Sequence, residues 1–311
     1  MNHKLIALLI YVTLSASCSV DYDPDIRADS ECIVVNSYLQ PDSMITVRLY
    51  ANRLNGNRSE VIPLEGAHVV LEENGKTLYD GIAESVLRLD VYPKTGGNYS
   101  IRVRHADYPP VEAETSIPQP ITCELSLDGL IYTVYNFQFP EKETPLWITC
   151  TVLFTDTIPP VQYGVLFTKN ALVDNMNRSE GLEFMDVRVG AGYHEGFLRI
   201  KPANQPELTG IEFLPWLWTS MLWDGYLGDE VRLIAASREY DQYCKTLYQM
   251  SAGAVAGDGF NAVLYQPVHV YTNIKGGWGI FAGKSETFHF VKNVGSGNED
   301  EAEFVLRSLK N

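Results

Sequence analysis

Residues 99–104 read Tyr99-Ser100-Ile101-Arg102-Val103-Arg104, and residues 111–117 read Val111-Glu112-Ala113-Glu114-Thr115-Ser116-Ile117. Apolar and polar side chains alternate in both stretches. A period of two belongs to a β-strand, whose successive side chains point to opposite faces, so one row meets a core and the other meets water. The same pattern extends toward the N-terminus. Ile45, Val47 and Leu49 alternate with Thr46, Arg48 and Tyr50; Ala67, Val69 and Leu71 alternate with His68, Val70 and Glu72; Leu87, Leu89 and Val91 alternate with Arg88, Asp90 and Tyr92. Turn-forming residues separate the rows: Pro41-Asp42, Asn55-Gly56, Glu73-Asn74-Gly75, Gly96-Gly97-Asn98 and Pro109-Pro110. Short alternating strands with such punctuation predict a β-sandwich over residues 32–120. Its exit, Ser116-Ile117-Pro118-Gln119-Pro120, is stiff because proline gives a sheet no donor, and a domain boundary is expected there.

Residues 121–311 are expected to form a second β-rich domain. Strands are predicted at 125–127, 147–154, 163–168, 186–189, 197–200, 231–236, 263–271 and 287–291. One helix is predicted near 237–250. Tyr240, Tyr243, Cys244, Leu247 and Ser251 fall on one face at helical spacing, Ser237 suits an N-cap, and Glu239 suits the positive helix start. Asp241 and Lys245 stand one turn apart and can pair. The fold class is therefore mainly β, with one amphipathic helix.

The first residues read as an address. Lys4 supplies a positive start, residues 5–14 an apolar run too short to span a bilayer, and Ser15-Ala16-Ser17 a small-residue site, which is the layout of a secretory signal peptide over 1–17. Cys18 follows directly. The arrangement resembles the lipobox of bacterial lipoproteins, with Ser15 where that pattern usually has leucine. The resemblance implies lipidation at Cys18, and several acyl chains would anchor the protein at about 0.8 kcal/mol per buried methylene. Residues 18–31 then form a tether with Asp21, Asp23, Asp25, Asp29 and Glu31, similar to the acidic surface-export signals of Bacteroidetes lipoproteins. That implies an outer-membrane location, with the cell surface as the exposed face.

Composition narrows the partners. The chain has 311 residues, 45% of them apolar and 20% charged, so it can bury a core. Its net charge of −15 argues against nucleic acid, which needs a basic face. Cys32, Cys123, Cys150 and Cys244 are spaced unlike any CxxC motif; all three disulfide pairings stay open, beside the alternative of buried free thiols.

The stretch Glu65-Gly66-Ala67-His68-Val69-Val70-Leu71 with Asn74-Gly75, followed by Gly97-Asn98-Tyr99-Ser100-Ile101, resembles immunoglobulin-like and carboxypeptidase-regulatory-like sandwiches. Five segments in order extend the likeness across the mature chain: Asn36 to Leu49, Glu65 to Leu71, Thr115-Ser116-Ile117-Pro118, Ser237 to Gln249, and Val270 to Gly283. Together they resemble the Bacteroidetes domain of unknown function 4249 family. That family resemblance implies an outer-membrane lipoprotein, often beside a TonB-dependent transporter, and implies no catalytic residues.

Motifs for chemistry are sparse. His194-Glu195 lacks the second histidine of a zinc protease motif, and no G-x-S-x-G elbow occurs. Gly276-Gly277-Trp278-Gly279 reads as a turn and bulge before a strand, not a phosphate cradle. Asp174 to Glu180 lacks the acidic spacing of a calcium loop. No catalytic residue, metal site or cofactor is assigned, and the chain is not expected to be an enzyme. The candidate platform for a ligand or partner is the aromatic cluster Trp216, Trp218, Trp223 and Tyr226, which as core packing would have no such role. Ser43 and Thr157 lie in Asp-Ser-Met and Asp-Thr-Ile motifs resembling Bacteroidetes O-glycosylation acceptors. The expected role is an accessory or binding subunit of a TonB-dependent nutrient uptake system, held to the membrane by its lipid, with a carbohydrate or peptide nutrient as cargo. The alternative is a cell-surface adhesin or assembly component.

Overall fold

The structure, a computed structural model, describes residues 31–55, 58–128, 131–141, 143–154, 161–162, 165–166, 182–188, 194–200, 210–215, 226–256, 269–292 and 304–307. The fold is mainly β, with one helix among the described residues.

The N-terminal strands are β1 Cys32–Leu39, β2 Thr46–Asn55, β3 Arg58–Pro63, β4 Ala67–Glu73, β5 Lys76–Ala83, β6 Val86–Arg88, β7 Asn98–His105 and β8 Tyr108–Ser116. They form two layers. One is a four-stranded sheet in the order β5-β4-β7-β8; the other contains β1, β2, β3 and β6. The alternation seen in the sequence is the packing rule. Ile33, Val35, Val47, Leu49 and Ala51 face Val69, Leu71, Tyr99, Ile101, Val103, Val111 and Ala113 in one buried cluster, while Arg48, Arg88, Arg102 and Glu114 stay exposed on the opposite faces.

The C-terminal strands are β9 Thr122–Asp128, β10 Ile131–Gln138, β11 Leu146–Phe154, β12 Val161–Gln162, β13 Val165–Leu166, β14 Leu182–Arg188, β15 His194–Ile200, β16 Gly210–Pro215, β17 Tyr226–Ala236, β18 Trp278–Lys292 and β19 Phe304–Arg307; the helix α1, Arg238–Ala256, lies between β17 and β18. Strands β13-β16-β10-β9 make a third sheet.

The chain leaves the sandwich at residues 117–120, between β8 and β9, and returns through β18. Trp278 to Gly283 pair in parallel with Val34 to Leu39 of β1. Lys284 to Lys292 pair antiparallel with β17. One strand thus joins the N-terminal layer to β17, β11, β15 and β14, giving a sheet of eleven strands. Phe281 and Ile274 from the C-terminal part complete the N-terminal core. Two backbones can come this close because β18 carries glycines. A Cβ on Gly279, which has φ +104°, would lie 2.1 Å from the Val35 carbonyl oxygen, and only glycine combines that φ with that approach.

Several local expectations shift. Pro109 and Pro110 lie inside β8, and the turn precedes them at residues 106–107. Proline can sit there because β8 is the last strand of its sheet and its pairing with β7 is interrupted between Val103↔Val111 and His105↔Tyr108, so neither proline has a ladder partner. Residues 269–271, expected in a strand, are not in one. The helix continues past 250 to Ala256; Gly253 costs only about 1 kcal/mol against alanine, and the flanking alanines favour helix. The cap holds as read: the Tyr240 amide donates to the Ser237 hydroxyl at 3.1 Å. Asp241, expected to pair along the helix surface, is buried and turned to other partners.

Candidate functional site

Four arrangements of polar side chains stand out, and each is set by where the strands put it. The first is buried. Arg199 on β15 donates twice to Asp241 on α1, Nε to Oδ1 and an Nη to Oδ2, both at 2.6 Å; the Trp147 indole of β11 donates to Oδ1 at 3.0 Å. Both ions are almost fully enclosed, at 5% and 3% side-chain exposure. A bidentate, fully partnered pair of this kind fixes α1 on the sheet beside Ile234, Ala236 and Cys244. It is a clamp, with no open side for a ligand.

The second is a cysteine–histidine contact. Cys123 Sγ on β9 lies 3.3 Å from His289 Nε2 on β18, both buried. Distance alone would suit a nucleophile and its base. The electrostatics oppose it: burial, aided by Glu124, pushes the Cys123 thiol up to about 12, and burial lowers the pKa of His289. Both groups are therefore held neutral at pH 7, the reverse of a thiolate–imidazolium pair. Cys32, Cys123 and Cys244 are free and buried.

The third is a polar groove of about 420 Å³ beside the start of α1, lined by Asn74, Asn98, Ser100, Glu114, Ser116 and Glu239 among others. Its inner end belongs to the framework. Thr115 Oγ1 donates to Glu239 at 3.0 Å, and the Gly283 amide donates to Thr115 Oγ1 at 3.1 Å.

The fourth lies on the outward face of β1 and β2, opposite the sandwich core. A cavity of about 290 Å³ is lined by Asn36, Ser37, Tyr38, Thr46, Arg48 and Arg88. Register explains the cluster. Asn36 is opposite Arg48, Thr46 is opposite Arg88, and Arg48 is opposite Val86. All four polar side chains occupy outward positions of the alternation. Tyr38, a residue 43% exposed, forms one wall; its ring meets Tyr240 and Tyr243 of α1 edge-on, at 5.7 and 6.2 Å between centroids. Beyond Asn36 the same face carries Val34, with exposed Trp278 beside it on β18.

The residues singled out from sequence fall mostly elsewhere. Cys18, Trp216, Trp218, Trp223 and Thr157 lie outside the described residues. Tyr226 opens β17, its backbone opposite Phe154. Ser43 is half-buried in the turn after β1, where its amide donates to the Gln40 carbonyl at 3.3 Å, between exposed Asp42 and Met44. Arg48 and Arg88 were legible as outward residues of two separate strands, but their meeting depends on the β2–β6 pairing. The Cys123–His289 and Arg199–Asp241 contacts, 166 and 42 residues apart in sequence, had no local signal.

The chain is thus a mainly β protein, a sandwich extended by a returning C-terminal strand, with open polar cavities on its faces. The family described as Domain of unknown function (DUF4249) matches residues 20–288. The chain belongs to that family. A search of curated proteins finds no match.

Proposed function

We propose that this protein is an outer-membrane lipoprotein, anchored through Cys18 after removal of residues 1–17, that serves as an accessory binding subunit of a TonB-dependent nutrient uptake system. The leader carries the reading: a positive start, an apolar run of ten residues and a cysteine directly after small residues. Residues 18–31 act as an acidic tether that holds the folded body away from the bilayer and favours the cell-surface side. The body works by binding rather than catalysis. Its cysteine–histidine contact is neutral at both groups, and the most enclosed ion pair among the described residues clamps the helix. The aromatic residues Trp216, Trp218, Trp223 and Tyr226 are proposed to contact transporter or nutrient, and Ser43 and Thr157 are proposed O-glycan acceptors.

The test is recovery of the native protein from membranes in mild detergent. A large β-barrel should copurify in stoichiometric amount. Recovery of the lipoprotein alone overturns the transporter-subunit role and favours the adhesin reading, which attachment assays of a deletion strain would then examine. Cys18→Ala should release the chain from the membrane fraction.

A further inference from the structure

We infer that the cavity between Asn36, Tyr38, Thr46, Arg48 and Arg88 is a binding site for an oxyanion carried on a ring-shaped, hydroxylated molecule of monosaccharide size, with a sugar acid as the fitting chemical class. Arg48 and Arg88 sit on neighbouring strands at diagonal positions, roughly 7–8 Å apart at the backbone. Neither is in an ion pair among the described residues, a state they share with other exposed cations such as Arg53 and Arg104; what distinguishes them is that both line one cavity. No carboxylate lines the cavity among the described residues; the acid following along the same strand face is Asp90, two residues beyond Arg88. Two cations so placed repel each other weakly, and an anion between them reverses that sign. In a chain of net charge −15, a cationic pocket on an outward face runs against the field of the molecule.

The other walls specify more than charge. Guanidinium groups present planar, paired donors that match a carboxylate, sulfate or phosphate. The Asn36 amide and Thr46 hydroxyl add neutral donors and acceptors suited to ring hydroxyls. The ring of half-exposed Tyr38, steadied by Tyr240 and Tyr243, offers a flat apolar wall. The volume, about 290 Å³, lies just below the ~300–1,000 Å³ of drug-sized small-molecule sites, which selects one ring over a polymer segment.

The site rests on the binding-subunit reading only for its place in uptake. It is measured on the purified full chain with no transporter present, so failure of either idea is seen separately. Isothermal titration with glucuronate should saturate at one per chain, and glucose should give no saturable heat. Inorganic phosphate tests the oxyanion alone and should bind more weakly than glucuronate. R48Q/R88Q should weaken glucuronate at least tenfold with the thermal midpoint held. Y38A should weaken glucuronate more than phosphate. The inference is overturned if glucuronate shows no saturable binding, if phosphate binds while glucuronate does not, or if R48Q/R88Q binds glucuronate like the parent. Should the double variant fail to fold, R88Q alone decides: a several-fold loss supports the site, and unchanged affinity overturns it.

Discussion

Asp241 shows how one residue can carry more than its sequence context suggests. Its position at the first turn of α1 suits a negative charge, because unpaired amides there make the helix start positive. Burial changes its importance. Its two oxygens receive Arg199, Trp147 and Gln242, so truncation strands a guanidinium and an indole N–H in the interior. Breaking one side of a buried, fully bonded pair costs about 3–5 kcal/mol. Asp241→Ala is therefore expected to lower unfolding free energy by that amount in a urea titration. A loss under about 1 kcal/mol would mean the pair is solvated and is not a clamp. At the same scale, the Cys123–His289 contact illustrates why proximity is insufficient for chemistry: the surroundings that bring the two groups together also exclude the charge that reactivity needs.

At the scale of elements, the informative point is where α1 begins. Ser237 caps the helix through its hydroxyl, but the Gly283 amide also donates to that oxygen at 3.3 Å, and the Ser237 amide donates to the Gly283 carbonyl at 2.9 Å. Thr115 of β8 joins the same group through its own hydroxyl. Three segments that carry the family resemblance, around Thr115, Ser237 and Gly283, thus converge on one hydrogen-bonded node. A Cβ on Gly283 would lie 2.2 Å from the Ser116 carbonyl oxygen, so the closeness of β18 to β8 is built into the glycine. Ser237→Ala removes the cap and leaves other buried groups short of a partner. The expected cost is about 1–2 kcal/mol, at the upper end of cap losses, read as a lower thermal midpoint with the circular dichroism spectrum otherwise retained. A change within error would place the node's stability in the backbone bonds alone.

At the scale of the whole molecule, β18 matters most. The first sandwich reads from sequence as a self-contained domain ending near residue 120. In the structure it borrows a strand neighbour for β1 and two core side chains, Ile274 and Phe281, from more than 150 residues further on. Removing them exposes the parallel edge of β1 and opens its core. A fragment of residues 31–120 is expected to lack a sharp, cooperative thermal transition at temperatures where the full chain stays folded. A dispersed amide NMR spectrum and a cooperative melt from that fragment would show that the sandwich needs no help from β18.

The sequence by itself determined the strand class, the buried row of each N-terminal strand and the helix with its cap. These are local matters: side-chain alternation follows from backbone geometry, and a cap needs only its neighbours. It also gave the five ordered segments of the family resemblance. Tertiary structure alone decided which strands are neighbours. That choice joined β18 to β1, buried Asp241 against Arg199, neutralised Cys123 and His289 together, and set Arg48 and Arg88 around one cavity. The physical reason is that sheet pairing is satisfied by backbone groups common to every residue. Alternation says which side of a strand faces inward, but it does not say which distant strand lies alongside.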